Sequence, residues 1–457
     1  MPAREFDVVV VGAGPAGEVC AGRLAEGGLA VAIVEERLVG GECSYFACMP
    51  SKALLRPAEA LAEARRIPGA REAAQEGLDA VAVLRRRDEV IHGLDDETQL
   101  PWLEERGVTV LRGTARLTGE RGIEVDGEPV AVRRAVVLAA GSDPALPPIP
   151  GLREAVPWTN REATTASATP RRLLVLGGGV AGVELAQAWR SLGSEVALVE
   201  ADTRLIAREE PFAGDAVHAS LVAHGVDVRL GARAAAVERL EGSVFVELEG
   251  GERLEGDELL VATGRRPRSD GLGLEMLGLR GSGYVEVDGS LRVGGRDWLY
   301  AIGDLNGRVL LTHMGKYQAR VAADSILGRD ATIAGAAQGA ASPRVIFTEP
   351  QVAAVGHTLA SALEAGIEAR AVDESIDGVA GASFYGRDDA GAARIVVDEQ
   401  RRVLVGATFV GVDVAELVHA ATIAVVGEVT LDRLWHAVPS FPTRSEIWLR
   451  LLETYGL

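Results

Sequence analysis

"FDVVVVGAGPAGEVCAGRLAEGGLAVAIVEE", residues 6–36, decides how the chain is built. Phe6–Val11 is an apolar run rich in β-branched residues and broken only by Asp7, the pattern of a parallel strand buried on both faces. Gly12, Gly14 and Gly17 follow as GxGxxG, then a helical pattern, then a second apolar run, Ala30–Val34, ending at Glu35. Glycines so spaced allow a tight turn and let backbone approach a pyrophosphate at a helix N-terminus. The acid after the second strand is placed to accept hydrogen bonds from a ribose.

The same unit recurs at "RLLVLGGGVAGVELAQAWRSLGSEVALVEAD", residues 172–202. Gly177, Gly179 and Gly182 lead to Glu200, and the first glycine and the acid are equally spaced in both copies, 12 to 35 and 177 to 200. One GxGxxG is a weak signal. Two copies, each set between strands and each ending in an acid at one offset, predict two dinucleotide sites. At the second site Glu200 favours a free 2′-hydroxyl and repels a 2′-phosphate. Ala201 stands where an arginine would hold that phosphate, so NADH is expected over NADPH, with Arg204 and Arg208 close by.

Other segments fit an α/β protein with an inserted second dinucleotide domain. "VVLAAGSDPALPPIPG" (136–151) reads as a strand, a Gly141 turn and a proline-rich exit. "LLVATGRRP" (259–267), with Gly264, is its counterpart, and "WLYAIGDLNG" (298–307) is a strand leading to Asp304, which could hold a polyol hydroxyl or simply make a turn. Residues 56–106 read as solvated helices. From about residue 343 the glycine motifs stop and an α+β pattern takes over. The net charge of −19 argues against nucleic acid or an anionic membrane as partner, since both demand basic patches. No apolar run reaches the ~18–20 residues of a membrane helix. The N-terminus shows no secretion-signal series, so a cytoplasmic protein is expected.

"GGECSYFACMPSKALL", residues 40–55, holds Cys43 and Cys48, two of the three cysteines. They could be metal ligands, a staple or a redox pair. A zinc site fails on count: the remaining cysteine, Cys20, lies in the first helix, where a buried packing role is expected, and no metal is expected. A structural disulfide is uncommon in a reducing compartment. Of 47 basic residues only Lys52 and Lys316 are lysines. Codon bias explains most of that, but a surviving lysine suggests a position where a planar guanidinium will not serve.

The order GxGxxG, CxxxxC-x-PSK, second GxGxxG, ATG turn, GD strand and terminal α+β segment resembles the class I pyridine nucleotide-disulfide oxidoreductases, the family of dihydrolipoamide dehydrogenase, glutathione reductase and mercuric reductase. The likeness covers essentially the whole chain. It implies two Rossmann-like domains plus a C-terminal α+β dimerisation domain. Residues 1–150 with 270–342 would bind FAD, 151–269 NAD(P)H, and 343–457 would form a homodimer. It also implies that Cys43 is the interchange cysteine and Cys48 the flavin-facing one. Lys52 would lie near the flavin and Glu184 would pair with it, while Gly41, Gly113 and Asp304 would contact the FAD. A disulfide needs Cα atoms ~4.4–6.8 Å apart, whereas residues five apart in a regular helix are roughly 8–9 Å apart. The implied pairing therefore predicts a non-helical turn over "CSYFAC", with regular helix starting near Pro50.

One departure matters most. The family's His-Pro-Thr-x-x-Glu motif reads Phe441-Pro442-Thr443-x-x-Glu446 here, and phenylalanine cannot move a proton. General acid–base help is typically worth ~10²–10⁴-fold. His436 lies five residues earlier and cannot keep the usual spacing to Glu446. Val180 occupies the position of glutathione reductase's gating tyrosine. The first expectation is an FAD enzyme passing electrons from NADH through Cys43 and Cys48 to a disulfide or thiol substrate. The alternative is a quinone or metal-ion reductase, which would not need the missing histidine.

Overall fold

A computed structural model describes residues 4–335, 339–386 and 391–457. They form two compact units. The first comprises Met1–Pro50, Asp88–Ala145 and Arg265–Gly339; the second comprises Ser51–Arg87, Leu146–Gly264 and Ala340–Leu457.

In the first unit a seven-stranded sheet runs Thr109–Arg112, Val31–Glu35, Arg4–Val11, Glu128–Leu138, Gly122–Val125, Ala115–Gly119, and Leu299–Ala301 also pairs with Glu128–Leu138. The pairings among the first four strands, and that of Leu299–Ala301, are parallel; those of the last two strands are antiparallel. Side chains alternate across a strand. Val8 and Val10 therefore join the core beneath the helices Pro15–Glu26 and Thr312–Ile326, while Val9 and Val11 join a second core with Leu117, Leu274 and Trp298. Both faces are covered, which is why Val8–Val11 carries no polar residue.

The second unit repeats the parallel core. Its sheet runs Asp227–Leu230, Glu195–Glu200, Arg172–Leu176, Glu258–Val261, all parallel. The helix Val180–Ser191 covers it with Trp189, which is fully buried. A five-stranded antiparallel sheet (Arg344–Ile346, Gln351–Gly356, Val403–Gly411, Ala392–Asp398, Ala369–Ser375) follows in the same unit. Helices Val418–Val426 and Ile447–Tyr455 share its core. The expected class, two Rossmann-like α/β folds with a C-terminal α+β part, is what the chain adopts.

Two local expectations need correction. Residues 56–106 are not simply solvated. The helix Ala80–Val90 buries Val83, Leu84 and, completely, Arg87, whose guanidinium donates to the carbonyls of Thr164 and Ala166. A buried arginine survives when its donors are met, and no periodicity announces that. The second lies at Cys43 and Cys48, where helix extends further than a plain turn over "CSYFAC" would allow. Among the described residues no helix is long and apolar enough to cross a membrane.

Candidate functional site

The first glycine cradle is built as the motif requires. Gly12 has φ +102°, and a Cβ there would meet the carbonyl of Ala139 at 2.5 Å. A Cβ on Gly17 would collide with the Gly12 carbonyl oxygen, so the helix can seat this closely only without a side chain. Gly14 caps the helix at φ −72° with nothing within 4 Å of its missing Cβ, an open space over the N-terminal N–H groups. Glu35, buried, accepts from the backbone N–H of Ala13 (2.8 Å) and of Arg37 (2.8 Å), which fixes the carboxylate at the end of its strand. Gly113 and Gly141 take left-handed φ of +138° and +74°. Asp304 accepts from the Ser142 hydroxyl at 2.6 Å, and burial raises its pKa. Ser142 also accepts from Arg265 at 2.6 Å. The sequence reading missed Ser142, since a serine after a turn glycine is unremarkable.

The cysteines sit on two helices, which is the second correction. Cys43 lies inside a short helix, Gly41–Tyr45, and Cys48 opens the long helix Cys48–Arg66. The break falls at Phe46–Ala47, where Phe46 leaves the helical region (φ −132°, ψ −3°). The long helix therefore begins two residues before Pro50. It can do so because first-turn N–H groups have no helical partner, so a proline there forfeits nothing. Cys43 and Cys48 are partly exposed and not joined as a disulfide, and Cys20 is buried, with its pKa pushed up to about 12 by burial. The Cys43 and Cys48 thiols share a hydrogen bond. That hydrogen bond, burial and the charge on Cys48 all push the Cys43 pKa up. A charge on Cys48 thus opposes loss of the Cys43 proton. Cys48 Sγ also lies 3.4 Å from the Thr312 hydroxyl, at the first residue of the helix Thr312–Ile326.

In the second unit Lys52 Nζ is 2.7 Å from Glu184 Oε2, with Glu184 only 3% exposed. The other carboxylate oxygen, Oε1, accepts from the Phe347 backbone N–H at 2.9 Å. The Phe347 ring lies 4.8 Å from the ammonium. A buried carboxylate needs such a complete set of donors. Phe347 is a further residue that sequence reasoning did not find.

The second cradle repeats the first. Gly177 has φ +107°, a Cβ on Gly182 would collide with the Gly177 carbonyl oxygen, and Gly179 caps the helix with open space at its Cβ position. Glu200 accepts from the backbone N–H of Gly178 and, at 2.7 Å, of Asp202. Arg204 is turned onto the carbonyl of Ala207 (2.8 Å). Gly264 sits at φ +132°. At the C-terminus Phe441 is 76% exposed, His436 is exposed, and Glu446 accepts from the Gly381 backbone N–H at 3.3 Å. Among the described residues no cluster of histidine, cysteine and acid could hold a metal ion.

Comparison with known proteins agrees with this geometry. Residues 6–322 match the pyridine nucleotide-disulphide oxidoreductase family and residues 342–451 its dimerisation domain, which supports a homodimer. A dihydrolipoyl dehydrogenase of Chlamydia muridarum is 32% identical, covering 97% of this chain and 95% of its own. A mercuric reductase of Acidithiobacillus ferrooxidans is 33% identical, covering 94% and 79%. Among solved structures, the Cu(II) complex of the HOCl-induced flavoprotein disulfide reductase RclA from Escherichia coli superposes with a TM-score of 0.86 at 25% identity, over 98% of this chain and 99% of that one. LpdA from Mycobacterium tuberculosis gives 0.86 and 25% over the full length of both chains. The two cradles, the paired cysteines and these matches carry one conclusion: the chain belongs to the class I pyridine nucleotide-disulphide oxidoreductases and is an NAD(P)H-dependent flavoprotein enzyme.

Proposed function

We propose that the protein takes electrons from NADH and passes them, through FAD, to the Cys43–Cys48 pair and on to a disulfide acceptor. The observation that carries this reading is the thiol pair itself: Cys43 and Cys48 face each other across a helix break, close enough to share a hydrogen bond. The first cradle fits FAD. Its open cap at Gly14, the anchored Glu35 and the half-buried Asp304 match pyrophosphate, ribose and ribityl chain in turn. Bound FAD would supply hydride acceptance from the nicotinamide and electron delivery to a disulfide.

The remaining work falls to the chain. Lys52, held by Glu184, would set a positive charge at the flavin. Cys48, with Thr312 beside it, would hold a thiolate while Cys43 attacks the acceptor. That attack breaks the acceptor S–S bond and forms a mixed disulfide on Cys43, and one acceptor thiolate leaves. Cys48 then attacks Cys43, closing their disulfide and releasing the second thiolate. Both leaving thiolates need protons, and Phe441 offers none. We assign residues 1–150 and 270–342 to FAD, 151–269 to NADH and 343–457 to dimer contacts, with Glu446 at that interface. Arg204's engagement with Ala207 leaves Glu200 to exclude a 2′-phosphate, which favours NADH.

Phe441 supports a second reading, an oxidising metal ion as acceptor. Two thiols side by side suit a soft cation, and its reduction asks for no proton at Cys43. RclA was solved as a Cu(II) complex. An acceptor panel separates the two readings. Disulfide reduction abolished by Cys43→Ser, with kcat/KM for NADH roughly tenfold or more above NADPH, is the expected result. Unchanged turnover of every disulfide in Cys43→Ser would sink the first reading, and brisk Cu(II) reduction needing both cysteines would favour the second.

A further inference from the structure

Phe441 leaves open what supports negative charge on Cys43. The surroundings of Cys43 in the first unit offer an answer. The short helix bearing Cys43 rests on the N-terminus of the helix Pro15–Glu26. The Gly40 N–H donates to the Ala13 carbonyl (2.8 Å), and a Cβ on Gly41 would lie 2.8 Å from Gly14 Cα. Glu18 stands one turn along that helix, half-buried. The helix Thr312–Ile326 packs against the same helix: a Cβ on Gly315 would lie 3.3 Å from Ala16 Cβ, and Arg23 pairs with Asp324 at 2.9 Å. Thr312 on this helix touches Cys48, and Lys316, one turn further, shares its face. Two oppositely charged residues thus sit on contacting helices, Glu18 on the helix beneath the Cys43 segment and Lys316 on the helix whose Thr312 touches Cys48. Lys316 is also one of only two lysines among 47 basic residues.

We propose that Lys316 is a positioning residue that holds the negative charge of the Cys43 thiolate from within the same subunit, with Glu18 competing for its ammonium. The groups acting on Cys43 are Cys48, Thr312 and Lys316, and Lys316 lowers its pKa against burial and Cys48. Glu18 is pushed up to about 7 by burial, with Lys316 opposing and Glu35 adding to the rise. Tyr45 also feels the Glu18 charge. A compact ammonium on a flexible stem can follow a sulfur that moves between thiolate and mixed disulfide, which is a reason for a lysine here.

The proposal rests on Cys43 being the exchanging thiol, and its test separates the two. FAD-loaded enzyme is reduced with NADH and alkylated with iodoacetamide over about pH 6 to 10, and Cys43 modification is read by peptide mass. Lys316→Met should slow alkylation near neutral pH about three- to tenfold, and Lys316→Arg should restore most of it. Glu18→Gln should speed it and remove an inflection near pH 7. If NADH does not expose Cys43 to alkylation, both readings fall. If NADH exposes it and Lys316→Met follows the unmodified profile at every pH, the Lys316 assignment alone is overturned.

Discussion

At the scale of single residues, Glu184 shows how one carboxylate can hold a site together. It binds Lys52 with one oxygen and the Phe347 N–H with the other, almost out of water. Glu184→Ala orphans both donors and should cost about 1–3 kcal/mol in urea denaturation, the usual penalty for unmet buried groups. Glu184→Gln, which keeps an acceptor for Phe347, should cost less. Phe441 stands where the family resemblance implies a proton donor. If protonation of leaving thiolates limits turnover, Phe441→His should raise disulfide-reduction kcat by about 10²-fold and leave Cu(II) reduction unchanged; steady-state assays with both acceptors check this. Glu184 and Phe441 could be picked out in the sequence because the family resemblance marks their positions. Phe347, Thr312 and Ser142 could not, because each acts through a contact that only the folded chain makes.

At the scale of elements, the glycine cradles and the helix break carry the argument. Gly14 and Gly17 separate binding from folding. Gly14→Ala adds a methyl into open space at an ordinary φ, so stability should stay within about 0.5 kcal/mol. If a pyrophosphate lies there, flavin content of the purified protein should fall roughly tenfold. Gly17→Ala drives its methyl into the Gly12 carbonyl and should lose both flavin and fold stability, read by absorbance and thermal melting. The segment before the cysteines is tied down by Asp96, which accepts from the Val39 N–H (2.6 Å) and from Arg112 (2.7 and 2.9 Å). Burial opposes ionisation there, but the Arg112 and Val39 hydrogen bonds outweigh it and the Asp96 pKa is lowered. A lowered carboxyl pKa stabilises the fold above its unfolded value of ~3.9, and that stability is lost as pH falls through the folded value. Asp96→Asn should therefore flatten the acid limb of a melting-temperature profile. The sequence required a break between Cys43 and Cys48 but not its location. A proline marks where a helix can start, and here the helix starts two residues earlier.

At the scale of the whole molecule, the doubled glycine motif made the α/β class readable, because each copy must sit between buried parallel strands to work. The C-terminal sheet was readable only as an α+β pattern, since its strand order (344–346, 351–356, 403–411, 392–398, 369–375) depends on long-range pairing that no local signal records. The fully buried Arg87 belongs to the same class of hidden facts. The proposed electron path runs from NADH through flavin to Cys48 and Cys43. Anaerobic titration of the FAD-loaded enzyme with NADH tests that path most directly. The account predicts a long-wavelength thiolate–flavin charge-transfer band that is complete at one equivalent of NADH and absent in Cys48→Ser. Simple bleaching of the flavin at one equivalent, identical in the unmodified protein and in Cys48→Ser, would contradict it.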